Sequence, residues 1–173
     1  RFAATQVLHL LPHDLCRLAE DRHVAVPSTL HPDDRDGWLN LLLAELVEPH
    51  LGHDSPQFVY DYPASQGALA KVREGTLSSG NSDGAMARSP AVAERFELYD
   101  RGVELCNGYH ELTEADEFLR RSQAEQENSE SGGHQKLPGA PLLEGAMRAG
   151  LPGCAGVALG LDRLVMMALG EAE

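Results

Sequence analysis

Between Gly156 and Gly160, small residues alternate with apolar ones: Gly156, Ala158 and Gly160 stand at every second position, with Val157 and Leu159 between them. A strand of this composition presents one nearly bare face and one apolar face. Glycine inside a strand costs stability, so its repeated use marks close approach by a ligand or by another backbone. Something flat is expected to lie against the bare side. After Gly160, the spacing of Leu161, Leu164, Val165 and Ala168 predicts the buried stripe of an amphipathic helix packed behind a sheet, with Met166 and Met167 in the core. Asp162 suits the first turn of that helix. Arg163 falls beside the open end of the strand, where a guanidinium stacks on an aromatic base or pairs with phosphate oxygens. Spacing alone leaves a second reading equally open, a glycine-rich core strand followed by a surface arginine.

The chain around this motif has 173 residues and a formal charge of −13, enough length for one domain with a substantial core. That much negative charge repels a phosphodiester backbone, which argues against tRNA and for a protein or small-molecule substrate. Cys16, Cys106 and Cys154 are widely spaced and unpaired in pattern, so neither a disulfide framework nor a zinc site is indicated and a reducing cytoplasm fits. No apolar run reaches membrane-spanning length. The start, Arg1 to Ala4, has neither a methionine nor a secretory core, which suggests an excised piece. Helices are expected from Asp14 to Glu20, from Asp34 to Val47, from Glu114 to Gln126 after a Thr113 cap, and from Leu142 to Arg148. Strands are expected from Gln57 to Asp61 and, as an antiparallel pair about the turn Asp100, Arg101, Gly102, from Ala91 to Tyr99 and Val103 to Leu112. Polar, breaker-rich segments at about 73–90 and 127–141 are expected as mobile loops.

Glu104 and Glu111 are seven residues apart, an odd separation that places them on opposite faces of a regular strand. A bulge at Asn107 and Gly108 would return them to one face. Two converging carboxylates repel unless a cation lies between them, and hard oxygen ligands of this sort suit Mg²⁺ carrying nucleotide phosphates. Two separate solvated glutamates on an edge strand are the alternative.

The run from Leu151 to Ala168 resembles the third signature motif of the class II aminoacyl-tRNA synthetases. The segments Ala93 to Tyr99 and Gly102 to Thr113 are similar to the lysyl branch of that class. The wording Phe58-Val-Tyr-Asp-Tyr-Pro-Ala-Ser-Gln66, with Val157 to Gly160, is closer still to the elongation factor P lysyltransferase family, a truncated paralogue branch of the lysyl-tRNA synthetases. The resemblance implies an α+β fold with an antiparallel sheet flanked by helices, incomplete here because two upstream motifs are not in the chain. Residues 1–173 are accordingly expected to be the C-terminal part of such a catalytic domain, with an exposed apolar face and no turnover alone.

The chemistry implied is activation of lysine or (R)-β-lysine by ATP as an adenylate, followed by acyl transfer to a lysine of elongation factor P, in a cytoplasmic enzyme that is a homodimer when complete. By resemblance, Glu104 and Glu111 hold Mg²⁺; Glu104, Leu105, Gly160 and Arg163 surround ATP; and Asn107, Glu111, Gly156 and Ala158 line the amino-acid pocket. Glu104, Glu111 and Arg163 carry the catalysis, which is mostly positioning and charge neutralisation. Ala158 stands where lysyl-tRNA synthetases usually have glycine. Its methyl group is expected to disfavour an α-amino acid against a β-isomer, by roughly 1–3 kcal/mol. His110, Ser65 and Gln66 are read as structural hydrogen-bonders. The alternatives are tRNA aminoacylation of the lysyl type and a non-catalytic module that binds nucleotide or amino acid.

Overall fold

A computed structural model describes residues 7–79, 86–131 and 138–171. The N-terminal part is a helical layer. Helix α1 (Pro12–Asp21) opens with proline in its first turn, where the missing N–H costs nothing. Helix α2 (Arg35–Leu46) is capped by Asp34, whose side chain accepts the Gly37 N–H at 2.9 Å. Between them Leu15, Ala19, Trp38, Leu39 and Leu42 form a dry core. Trp38 donates its indole N–H to the Pro32 carbonyl at 3.0 Å, so the ring is buried without leaving its one donor unmet.

The sheet follows. Strands β1 (Gln57–Pro63), β5 (Val92–Asp100), β6 (Val103–His110) and β7 (Ala155–Leu159) pair antiparallel in the order β1, β5, β6, β7, and the short β2 (Val72–Arg73) also pairs with β5. The β5–β6 hairpin turns through Arg101 and Gly102, both at positive φ (49° and 80°), which matches the twist of the strands it joins. Strands β3 (Leu77–Ser79) and β4 (Met86–Arg88) form a separate two-stranded ribbon. The segment expected as a loop at 73–90 therefore carries paired strands, because Leu77, Ser78 and Ser79 find ladder partners in Arg88, Ala87 and Met86; positions 80–85 lie outside the described residues.

Two register shifts set which side chains face which way. Tyr60 pairs with Phe96 but Tyr62 with Ala93, and Asp61 between them takes φ 60°. Opposite, Cys106 pairs with Leu98 but Glu104 with Tyr99, which leaves Leu105 as the extra residue of a bulge. This bulge replaces the one expected at Asn107 and Gly108. Those two residues stay in register with Glu97 and Phe96, because Gly108 is packed under the Phe96 ring and has no room to loop out.

Helix α3 (Ala115–Ser131) starts one residue later and ends five later than expected, so the connection expected from 127 begins inside a helix. Positions 132–137 lie outside the described residues. Thr113 bonds the Glu114 side chain (Oγ1 to Oε1, 3.1 Å). Helix α4 (Pro141–Arg148) packs on α3 through Leu112, Phe118 and Met147. Arg121 fastens α3 to the chain after β1, its Nη1 donating to the carbonyls of Ala68 (2.9 Å) and Ala70 (2.8 Å).

Helix α5 (Leu161–Leu169) departs from expectation. Leu161, Val165 and Leu169 are exposed and no residue of the helix is buried. Met166 and Met167, expected in the core, are half-buried and line a cavity of about 330 Å³ with Val103, Leu105 and Arg163. The stripe has the right period, but no described element covers it.

Candidate functional site

Paired residues of a ladder share a face, so the register separates two surfaces of the sheet. One carries Phe58, Tyr60, Phe96, Val157 and Leu159; Phe58 meets Phe96 edge to face at 5.7 Å, and Phe58, Tyr60, Val157 and Leu159 are exposed. The other carries Arg95, Glu97 and Tyr99 of β5, Glu104, Asn107 and Tyr109 of β6, and Gly156 and Ala158 of β7. The helical layer closes this second face at the β1 edge, through Leu43 of α2 against Tyr62, Ala70 and Ala93. At β6 and β7 it stays open, with Ala158 exposed.

The bulge at Leu105 brings Glu104 and Glu111 to this open face, at the two ends of β6. Glu111, just beyond the strand, is held by its N–H on the Cys154 carbonyl (2.9 Å) and by a bridge to Ala70. Its carboxylate lies over Gly156, where a side chain on that glycine would collide with Oε1. The bareness of β7 is thus put to two uses: Gly156 makes room for Glu111, and Ala158 leaves the floor beside Asn107 open.

At the other end Arg163, in the first turn of α5, donates Nη1 to the Glu104 backbone carbonyl (2.8 Å) and lies 3.8 Å from its carboxylate. Gly160 supports this arrangement twice. Its N–H binds the Leu105 carbonyl at 2.9 Å, and the arginine stem runs 3.3 Å from where its Cβ would be. Burial first, and then the charge of Glu97, push the Glu104 carboxyl above its ordinary range; Arg163 and Arg95 oppose the shift. Its anionic form therefore gains from any further positive charge nearby.

The structure thus brings Glu104, Asn107, Glu111, Gly156 and Ala158 to one face, with Arg163 and Gly160 at its edge and Leu105 buried beneath. The residues read as structural have other neighbours. His110 points to the opposite face and pairs with Glu94 at 2.5 Å. Ser65 bonds Asp36 (2.8 Å) and Gln66 bonds Asn40 (3.0 Å), tying the end of β1 to α2.

Sequence reasoning passed over a buried polar layer on the same face. Glu97 is 4 % exposed; its Oε2 accepts the hydroxyls of Tyr62 and Tyr99 (the latter at 2.7 Å), and its Oε1 accepts Nη2 of Arg95 at 2.5 Å. The Arg95 guanidinium stacks 4.4 Å over the Tyr62 ring and donates to the Gln66 carbonyl at 3.2 Å. Burial, reinforced by the bond to Glu97, holds both phenols protonated far above the physiological range, so both remain donors. The signal was present in Arg95 and Glu97, two apart in a run of strand formers, where an inward face is expected to be apolar. Asn107, in register with Glu97, has its Oδ1 buried without a hydrogen-bond partner.

Among the described residues no three acidic, histidine or cysteine side chains gather to hold a metal ion, and no helix is long and apolar enough to cross a membrane. A cation on this face would meet one or two glutamates and draw its other ligands from phosphate and water. That donor set fits Mg²⁺, which keeps several waters and accepts one or two carboxylates with substrate phosphates.

Residues 42–173 match the family model of the class II tRNA synthetases (D, K and N). The chain is 46 % identical over 138 residues to a protein of Yersinia enterocolitica named elongation factor P--(R)-beta-lysine ligase, covering 80 % of this chain and 38 % of that protein. Proteins of the same name from Vibrio cholerae (46 % over 139 residues, 80 % and 39 %) and Salmonella gallinarum (45 % over 138 residues, 80 % and 38 %) are similar to the same extent. The chain spans about two fifths of the length of these relatives.

Proposed function

The chain belongs to the class II tRNA synthetase family (D, K and N), and on that footing we propose that it contributes the open sheet face of an ATP-dependent ligase that activates lysine or (R)-β-lysine as an adenylate and transfers it to a lysine of elongation factor P. The reading of the acceptor rests on the relatives, which bear the name of that ligase. The observation that carries the chemistry is the gathering of Glu104, Asn107 and Glu111 on one face against the bare strand β7.

In this reading Glu104 and Glu111 would hold Mg²⁺, which when bound would supply neutralisation of phosphate charge. Arg163, fixed on the Glu104 carbonyl, presents its guanidinium plane to the adenine. Leu105 and Gly160, bonded to each other through the backbone, form the wall beneath. Asn107 and Ala158 line the amino-acid pocket, with Glu111 contacting the amino acid from the end of β6. The Ala158 methyl narrows the floor beside Asn107, and a narrowing of one methyl shifts discrimination by roughly 1–3 kcal/mol. No protein nucleophile is required, since the substrate carboxylate attacks phosphorus and the acceptor amine attacks the acyl carbon.

The test is ATP–pyrophosphate exchange by the full polypeptide that carries this chain, with α-lysine and (R)-β-lysine in turn, followed by labelled transfer to elongation factor P or to lysine tRNA. Exchange with transfer to elongation factor P supports the proposal. Transfer to tRNA instead would move it to the aminoacylation reading, and nucleotide binding without exchange would make it a binding module.

A further inference from the structure

The chain between β1 and β3 crosses from one strand of the long hairpin to the other, and the ladder parts to admit it. Strands β5 and β6 stay paired as far as Arg95 and Tyr109. Beyond that pair, Ala70 bridges Glu111 on the β6 side, whereas Val72 and Arg73 pair with Ala93 and Val92 on the β5 side. Lys71 lies in the fork: its N–H donates to the His110 carbonyl and its carbonyl accepts the Glu94 N–H, both at 2.8 Å. Glu111 rides on the β6 prong, so its place on the open face depends on how far the prongs stand apart.

On the face away from the site, the side chains of Asp61, Arg73, Glu94 and His110 span this fork. His110 Nδ1 lies 2.5 Å from Glu94 Oε2, and since a carboxylate only accepts, the ring nitrogen is the donor. Arg73 lies 3.7 Å from Glu94 Oε1 through Nη1 and donates to Asp61 Oδ1 at 2.8 Å through Nη2. Asp61 is the residue at φ 60°, at the register shift of β1. The contacts thus join β1, β2, β5 and β6 where β5 and β6 separate. The His110 and Glu94 side chains are 45 % and 29 % exposed, and ion pairs so placed add little to global stability. Their effect falls on local opening, which is governed by the few contacts at the end of a ladder.

We infer that His110 and Glu94 are positioning residues for the amino acid: their clasp sets the opening of the fork, and with it the place of Glu111 relative to Asn107 and Ala158. Glu104 and Arg163 stand at the other end of β6, beyond the paired length of the ladder, and do not feel the clasp. The inference rests on the amino-acid contact proposed for Glu111.

The experiment is calorimetric titration of α-lysine, (R)-β-lysine and ATP, each separately, into the full polypeptide, with amide hydrogen exchange of the same variants without ligand. His110→Ala and Glu94→Ala are each expected to weaken binding of the amino acid by about 10-fold, within the hundredfold that a displacement of about 1 Å can cost. ATP affinity stays as in the parent, which a general loosening of the fold would not allow. Glu94→Gln, whose amide oxygen still accepts the imidazole N–H, recovers most of the loss. In both alanine variants the N–H groups of Lys71 and Glu111 exchange faster, while those within the paired length of β6 do not. Adding His110→Ala to Glu111→Gln causes no further loss of amino-acid affinity, because the clasp acts through that carboxylate. Unchanged amino-acid affinity in a folded alanine variant, equal losses for amino acid and ATP, or unchanged exchange at Lys71 and Glu111 overturns the inference. Failure of both alanine variants to fold marks the pair as structural and also overturns it. Glu111→Gln alone tests the reading beneath: parental amino-acid affinity in that variant refutes the contact of Glu111 with the amino acid, whatever the clasp does to the fork.

Discussion

Gly156 and Gly108 stand in neighbouring strands and invite the same substitution, with opposite expected results. An alanine methyl at Gly156 meets the Glu111 carboxylate, the far end of a flexible side chain, and its only other near neighbour is the carbon of that same group at 3.5 Å. Displacing a side chain from its rotamer costs about 0.5–1.5 kcal/mol, and replacing glycine by alanine within a strand returns about 0.5–1 kcal/mol. The fold should therefore barely notice Gly156→Ala. The site should, because Glu111 must swing away, and a charge-assisted contact is worth about 1.5–3 kcal/mol, or roughly 10- to 150-fold in affinity. At Gly108 the same methyl enters the Phe96 ring and comes within 2.9 Å of the Gly156 carbonyl, a backbone atom. Overpacking of that kind costs about 1–3 kcal/mol, a fall in melting temperature of about 2–12 °C for a chain of this size. Circular-dichroism melts and Mn²⁺ titration of both variants read the two quantities separately. A Gly156→Ala variant that binds Mn²⁺ as tightly as the parent would refute the claim that the bare strand exists to seat Glu111.

Three further outcomes are expected. Trp38→Ala empties the centre of the helical core and frees the Pro32 carbonyl; a loss of about 3–5 kcal/mol should appear in urea unfolding. Glu117 is held down to about 2 by hydrogen bonds from Arg120 and Arg121, so its contribution to stability is complete above about pH 4.5 and drains as pH falls towards 2; Glu117→Gln should flatten that acid limb in pH-dependent melts. Arg121→Met keeps the stem but strips the donors from the carbonyls of Ala68 and Ala70. The carbonyl of buried Ala70, left unmet, costs about 1–3 kcal/mol, whereas that of exposed Ala68 turns to water, and faster amide exchange should be confined to the chain after β1 and to α3.

Periodicity and turn chemistry were enough to place most elements. The alternation around Gly156, the Arg101–Gly102 turn and the helix beginning near Asp34 are local signals with local causes, and each appears where the residues require. What escaped depends on partners distant in sequence. The bulge lies at Leu105 and not at Gly108 because Phe96, on another strand, occupies the space above Gly108. The polar layer around Glu97 needs Tyr62, 35 positions earlier, to exist at all. The stripe on α5 has the period of a buried face, yet period reports only the pattern of a surface and not what lies against it.

The extra residue at Leu105 gives the hairpin a parity. Without it, Glu104 and Glu111 would part to opposite sides of the sheet, and no substitution at either position could reunite them. Changes of length in β6 should therefore be tolerated in twos: losing one residue turns a carboxylate over, whereas losing a pair only shortens the ribbon and preserves its handed arrangement of charge.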